Sequence, residues 1–337
     1  MSRHKKNSNV IHIKNCVICN SKSFVNLVGN IKDNIGGFSE YSGNIKKCIT
    51  CGHVFLSPVL HPSQIVHAYR KYYTRDKNKL NLSSNAKSDR FSMFLDFYLY
   101  KYQNIFSIKA WFINLIYNTI PLAKFFLDKP VRYISMPSDL NKIRLLDVGC
   151  GKGDFLLRAK YCGYRVTGID FDPKTIDIVN SRGLYGRAMQ IQDLPEKEKY
   201  DIITSSHVIE HVYRPKEFLL DIYKRLKKDG YFYIATPNYD SAGRKSFGKN
   251  WRGYDVPRHM HFFNTKNLKD ILYKIGFSRV IQVYDFPQSR GILRSSFLLQ
   301  KKNKQSIINK AKSISSLFSN KFYLSRRLEV AVFKCFK

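Results

Sequence analysis

Acidic side chains are scarce in this 337-residue chain: 25 Asp and Glu face 58 Lys and Arg, for a formal net charge of +33. That excess points toward polyanions, whether nucleic acid, an anionic membrane surface or a phosphorylated substrate. A plainer reading stays open beside it, because Lys, Asn and Ile are abundant everywhere and a compositional bias alone would charge the surface. Long apolar runs are also missing. The longest uncharged stretch lies between Lys109 and Lys124, short of the roughly 18–20 residues that span a bilayer. The polar, basic start from Met1 to Asn9 leads into no apolar segment of the signal-peptide kind, so a cytoplasmic protein without a transmembrane helix is expected. Internal repeats are absent. A phosphate loop ending in Gly-Lys-Ser/Thr is absent too, since Lys152 is followed by Gly153. Apolar residues at 44%, with 14% aromatics, exclude wholesale disorder and supply a sizeable core.

Seven cysteines are present, and four of them form two C-x-x-C pairs, Cys16/Cys19 and Cys48/Cys51, separated by residues 20–47. In a chain with no export signal this pattern reads as metal binding rather than disulfide formation. Four thiolates close a tetrahedral zinc site and leave no open position, which makes the role structural. His53 is a stray candidate that a complete thiolate set does not need. Glycines at 29, 36, 37 and 43 mark turns between short β-type runs, so residues 10–60 are expected to form a small zinc ribbon.

Residues 61–140 read as a helical cap or linker, dense in Phe, Tyr, Ile and Leu between residues 91 and 127 and broken at Pro121 and Pro130. Either this segment covers a site or its interleaved lysines bring it to a membrane surface. From residue 141 to 337 the texture alternates. Strands are expected at 143–148, 164–169, 200–205, 231–235, 278–286 and 328–336, with helices after Asp154, Pro173 and Pro215 and at 266–275. The expected architecture is α/β, a doubly wound Rossmann-like sheet. It carries a basic helical insertion at about 291–325. From Lys301 onward ten Lys/Arg accompany a single acid, Glu329, which fits a solvated surface or an anionic membrane contact.

The stretch Asp147-Val-Gly149-Cys-Gly151-Lys-Gly153 follows the first of these strands. Its glycines permit a tight turn and close approach of a ligand to the backbone. The spacing is not the G-x-G-x-x-G of dinucleotide sites, and an acid two residues before the first glycine suits a cationic ligand better than a pyrophosphate. About twenty residues on, Asp170 ends the next strand, where a carboxylate can accept ribose hydroxyls, and Phe171 can stack on a base. Asp172, directly before Pro173, fits a helix N-cap instead. A third stretch, His207-Val-Ile-Glu210-His211-Val, emerges at the carboxyl edge of the strand that begins at Tyr200, where such sheets bind ligands.

Together these stretches resemble the class I S-adenosylmethionine-dependent methyltransferases, from about Lys142 to Phe286 and on to the last strand. The resemblance implies that the loop Asp147–Gly153 wraps the methionine part of the cofactor, that Asp170 holds its ribose, and that Asp193 contacts the adenine. His207 is implied as a cofactor contact and a candidate base. The segment Trp251-Arg-Gly-Tyr-Asp-Val-Pro-Arg258-His259-Met-His261 resembles a substrate-side loop of bacterial methyltransferases acting in polysaccharide and small-molecule pathways. It implies Trp251, Arg258 and His211 as acceptor contacts, with Arg258 suited to a phosphate or carboxylate. His259 or His261 is implied as general base. The cysteine-rich start resembles the zinc-binding domain of some bacterial sugar methyltransferases. The expected activity is methyl transfer to a hydroxyl of a sugar, glycan or related metabolite. An RNA-modifying methyltransferase, using the ribbon and the basic surface, is the alternative.

Overall fold

A computed structural model describes residues 9–33, 41–65, 67–68, 101, 106–120, 123, 127–135, 138–302 and 328–337. Most of the expected helical cap between residues 69 and 105, and the basic segment 303–327, lie outside the described residues.

The large sheet has seven strands: β6 (Arg144–Val148), β7 (Arg165–Asp170), β8 (Gly186–Ala188), β9 (Tyr200–Ser206), β10 (Leu226–Pro237), β12 (Arg279–Gln282) and β13 (Val330–Phe336). Their spatial order is β12-β13-β10-β9-β6-β7-β8. The five from β8 to β10 run parallel, and β13 is antiparallel to both β10 and β12. Neighbours β6 and β9 receive their connections from opposite sides, so the crevice for a ligand opens above their carboxyl ends. This is the expected doubly wound Rossmann-like arrangement.

The central strands bury both faces, as a parallel sheet covered by helices must. Leu145 and Ile202 pack with helices α2 (Asp154–Tyr161) and α3 (Pro173–Ser181) through Phe155, Leu156, Ile176 and Val179. Leu146 and Ile203 face the other way, onto α4 (Pro215–Arg225) and α6 (Thr265–Ile275) through Leu219, Ile222, Leu268 and Leu272. Local chemistry sets the helix starts. The Asp172 carboxylate accepts the Lys174 N–H at 3.2 Å ahead of Pro173, and Asn264 accepts the Asn267 N–H at 2.7 Å. The expected strand at 278–286 stops at Gln282, and helix α7 (Phe286–Lys302) begins instead. Asp285 explains the change, because its side chain accepts the Gln288 N–H at 2.8 Å and caps the new helix. Upstream of the sheet, α1 (Ile108–Thr119) buries Ala110 and leaves Trp111, Phe112 and Leu115 exposed.

The N-terminal residues build two further sheets. β1 (Val10–Ile11) pairs with β5 (Val59–Leu60), and β2 (Phe24–Lys32), β3 (Ser42–Cys48) and β4 (Val54–Ser57) form an antiparallel set. The fourth strand of that set is β11 (His261–Phe262), contributed from more than two hundred residues downstream and paired antiparallel with Phe55 and Val54. A shared apolar cluster joins Ile45, Leu56 and Leu60 of the N-terminal sheets to Trp251, Tyr254 and Phe262 of the downstream loop. The ribbon is therefore completed by the segment that follows β10 and the short helix α5 (Ala242–Phe247).

This sharing has a direct consequence. A fragment spanning residues 1–60 lacks β11 and half of its apolar cluster. Supplied with zinc, it is expected to give poorly dispersed amide resonances. A dispersed, cooperatively melting spectrum would show that the ribbon folds without the downstream loop.

Candidate active site and metal centre

The glycine loop sits at the crevice between β6 and β9. Gly149, Gly151 and Gly153 all have positive φ, at 71°, 52° and 78°. Two of them matter for space. A Cβ on Gly149 would lie 2.3 Å from the Val208 side chain, so the loop is pressed against the segment after β9. A Cβ on Gly151 would meet nothing within 4 Å, so that wall of the loop is open. Asp170 ties the open wall to the end of β7: its two carboxylate oxygens accept the N–H groups of Gly151 and Asp172, each at 3.1 Å. Burial raises the Asp170 pKa and these N–H donors pull it back. Each oxygen keeps a lone pair for a further donor. Phe171, next in sequence, exposes about half of its surface, 51%. An open glycine wall, a carboxylate with spare acceptor capacity and an exposed aromatic ring fit the ribose and base of S-adenosylmethionine.

Asp147 is placed differently. It is fully buried, and its Oδ1 accepts from the Thr204 hydroxyl at 2.8 Å and from the guanidinium of Arg132. Burial raises its pKa against the pull of Arg132. Arg132 also donates to Thr204 at 2.9 Å and lies 4.0 Å above the Phe155 ring centroid. Both Arg132 and Tyr133 take positive φ, about 50°. Asp147 thus anchors the floor of the crevice through Arg132. Sequence reasoning missed Arg132, which stood in the expected cap and carried no recognisable spacing. Asp193 is exposed, and its side chain accepts the Gln190 N–H at 3.1 Å, capping a short 3-10 turn.

The segment after β9 carries His207 in a left-handed conformation, φ 59°, a strain of roughly 1–3 kcal/mol that the surroundings must hold. Its N–H donates to the Ala235 carbonyl at 2.8 Å. The ring is 39% exposed, with Nδ1 3.3 Å from Glu210 Oε1 and Nε2 3.1 Å from Gln288 Oε1. Burial opposes the imidazolium, but the Glu210 carboxylate outweighs it and raises the His207 pKa. Glu210 is 1% exposed, and its Oε2 accepts a hydrogen bond from the Thr236 hydroxyl at 2.9 Å. Its own burial would raise its pKa, yet the neighbouring imidazoles hold it at about 2.

The loop 251–263 does not present its polar groups as expected. Trp251 is 2% exposed and donates its indole N–H to Glu329 at 2.7 Å, so it stands inside the core instead of facing an acceptor. Arg258 is 1% exposed. It donates to Asp255 Oδ1 at 2.6 Å, to Asp33 Oδ1 at 3.3 Å and to the Ala68 carbonyl at 3.3 Å. Two carboxylates take up its charge, which corrects the expectation of a phosphate grip. His261 lies in β11 with Nδ1 3.1 Å from His53 Nε2, in the seam between the ribbon and the loop. Burial drives its pKa well below the ordinary value, and His53, which stays out of the cysteine cluster, falls to about 4. His211 and His259 approach the sheet edge, their ring centroids 4.6 Å apart. Burial, then His211, lowers the His259 pKa to about 4.

The four cysteines converge as spaced. Cys16 and Cys51 lie 3.6 Å apart through their Sγ atoms, as do Cys19 and Cys48. A tetrahedron with bonds of about 2.3 Å has edges of roughly 3.8 Å, so the cluster fits zinc. The two arms repeat one another. Cys16 N–H donates to Ser21 O and Cys48 N–H to His53 O, and each arm turns at a left-handed residue, Asn20 or Gly52.

Comparison with known proteins places these features in context. Residues 123–283 match the family described as "Methyltransferase domain". The chain is 33% identical over 107 residues to the ubiquinone biosynthesis O-methyltransferase of Rickettsia bellii, across 30% of this chain and 45% of that protein. It is 34% identical over 118 residues to the ubiquinone biosynthesis O-methyltransferase of Pelagibacter ubique, across 33% and 48%. The chain thus spans less than half the length of these curated relatives. A solved S-adenosylmethionine-dependent methyltransferase of Thermotoga maritima, described as a possible histamine N-methyltransferase, overlays 71% of this chain and 98% of its own. Its TM-score is 0.42 and its identity 19%.

Two measurements check the site. Elemental analysis is expected to find one zinc per chain, and Cys48→Ser to lose it while the ribbon becomes protease-sensitive. A metal-free wild type would reject the thiolate centre. Trp251→Phe removes one donor from the buried Glu329 carboxylate and is expected to cost about 1–3 kcal/mol of stability. Cofactor affinity should be unaltered in that variant. Unchanged denaturant stability would contradict the placement of Trp251.

Proposed function

We propose that this chain, whose residues 123–283 match the family described as "Methyltransferase domain", is an S-adenosylmethionine-dependent methyltransferase that transfers a methyl group to a hydroxyl oxygen of a small-molecule acceptor. One observation carries the reading: the open Gly151 wall, Asp170 with the exposed Phe171, and the left-handed His207 all arise at the carboxyl ends of the neighbouring strands β6, β7 and β9. The names of the curated relatives, O-methyltransferases, support oxygen as the atom that accepts. Two hydroxyl classes follow. A sugar or glycan hydroxyl rests on the sequence resemblance of the loop and the cysteine cluster alone, and a hydroxyl of a ubiquinone precursor is supported by the relatives' names.

The glycine loop 149–153, Asp170 and Phe171 would hold the cofactor. When bound, S-adenosylmethionine supplies an electrophilic methyl group on a sulfonium. The chain's own residues do the rest. Glu210 stays ionised beside His207 and raises its pKa, so His207 would take the acceptor's hydroxyl proton, at Nε2 once the acceptor displaces Gln288 Oε1 from it. Gln288, 3.1 Å from Nε2, orients the ring. Arg132, Asp147 and Thr204 keep the floor of the crevice closed, so that acceptor and methyl donor meet in a fixed geometry shielded from water. The buried Arg258 offers no free charge to a phosphate, so acceptor recognition is assigned to the sheet edge around His207, Glu210 and His211.

Calorimetry with S-adenosylmethionine tests the cofactor half. Wild type is expected to bind, and Asp170→Ala to lose at least about tenfold in affinity, roughly 1.4 kcal/mol, with its fold intact by circular dichroism. The transfer half is read with labelled cofactor against sugar and phenolic acceptors. His207→Gln is expected to lower kcat by about 10²–10⁴-fold while cofactor affinity holds. No cofactor binding by the wild type would end the proposal. Labelling of RNA instead of small hydroxyl compounds would replace its acceptor half.

A further inference from the structure

One cluster beside the proposed base is not explained by methyl transfer alone. Glu210, His211 and His259 come from two segments, the turn after β9 and the loop 251–263, yet each brings a ligand-type atom within 4.8 Å of the others. The residues are turned there by specific backbone contacts. His211 Nδ1 lies 3.0 Å from the Arg258 carbonyl and His259 Nδ1 lies 2.7 Å from the Gly253 carbonyl. A carbonyl oxygen only accepts, so both rings carry their proton on Nδ1, and in the neutral rings Nε2 is the nitrogen that bears a lone pair. This is the arrangement in which metal-bound histidines are held: a backbone acceptor on one nitrogen fixes the tautomer and aims the other.

Glu210 completes the set. Its Oε2 accepts from Thr236 at 2.9 Å, whereas Oε1 is buried and receives no well-directed hydrogen bond, His207 Nδ1 being 3.3 Å away and misaligned. The residue is 1% exposed and His259 is 7% exposed. A carboxylate oxygen and two imidazole nitrogens brought this close at this burial are a donor set that one cation can bridge. Asp255 lies beside this set, with Oδ2 3.7 Å from His259 Nε2, although Arg252 also engages that oxygen at 2.8 Å.

We propose that Glu210, His211 and His259 form a second metal site, distinct from the four-cysteine centre, that takes a divalent transition-metal ion. Two imidazoles and one carboxylate on one side leave positions open on the other, as in 2-His-1-carboxylate sites. The open positions belong to a site whose Glu210 Oε1 lies 3.3 Å from His207 Nδ1. Resting on the methyl-transfer reading above, they would receive an oxygen of the acceptor and hold it against the base. The metal ligation itself stands apart from that reading.

The test uses the full chain, with zinc already on the cysteines, titrated with Co²⁺ alone and without S-adenosylmethionine. Binding is read by calorimetry and by the visible spectrum. The expected result is one further equivalent of Co²⁺ whose spectrum lacks thiolate charge-transfer bands. His259→Ala and Glu210→Gln should each weaken that equivalent at least tenfold while the zinc on the cysteines stays in place and reports an intact fold. Absence of a second equivalent in the wild type overturns the proposal whatever the variants do. So does a second equivalent that survives unchanged in both variants, or one whose spectrum shows thiolate ligation. A chain that takes up Co²⁺ at this site but transfers no methyl group would keep the metal site and reject the methyltransferase reading. The converse result would do the opposite.

Discussion

A single buried guanidinium holds the far wall of the site. Arg258 is almost wholly removed from solvent, and two carboxylates, Asp255 in its own loop and Asp33 at the end of β2, compensate its charge. Losing one partner of such a group typically costs about 3–5 kcal/mol, because the charge left behind is desolvated and unpaired. The loop 251–263 therefore has little freedom to sit elsewhere. Its backbone carbonyls at Gly253 and Arg258 in turn fix the rings of His259 and His211. The same loop delivers β11 to the ribbon, so the cysteine module and the loop 251–263 are parts of one packed unit.

The other wall is built by the sheet itself. Parallel strands entering from opposite sides leave a crevice above β6 and β9, and the glycine loop, Asp170 and His207 all arise at strand ends on that edge. Asp147 looks inward: its Oδ1 serves Arg132 and Thr204, while its buried Oδ2 receives no hydrogen bond. The crevice thus has an acceptor-rich side at Asp170 and a charged, partly strained side at His207 and Glu210. These are two environments suited to two jobs, holding a cofactor and handling a proton.

Much of this was legible in the residues. The D-x-G-x-G-x-G stretch after an apolar strand, with an acid about twenty residues on, can be read without coordinates because both signals are local: each depends on a turn, a strand end and a helix start. The C-x-x-C spacing is equally local within each arm. The loop 251–263 could not be read in this way. Its charged and aromatic residues look like a substrate-binding set, yet Trp251 serves Glu329 and Arg258 serves Asp33, partners 78 and 225 residues away. Arg132 was hidden for a related reason, since its partners Asp147 and Thr204 lie on two later strands. At the end of β12, Asp285 and Pro287 carried a readable helix start that the apolar alternation before them obscured.

The sequence by itself determined the alternating strand-helix order, the cofactor-type glycine loop with Asp170, and the pairing of the four cysteines, because each rests on short-range geometry and residue chemistry. Only the tertiary structure decided which polar residues are free to act. Burial and long-range charge compensation turned Trp251, Arg258 and Asp147 into supports and put His261 in the ribbon seam. The same folding brought Glu210, His211 and His259 to one point. Those outcomes depend on which distant carboxylate or carbonyl comes within about 3 Å of each donor, and spacing along the chain does not encode that.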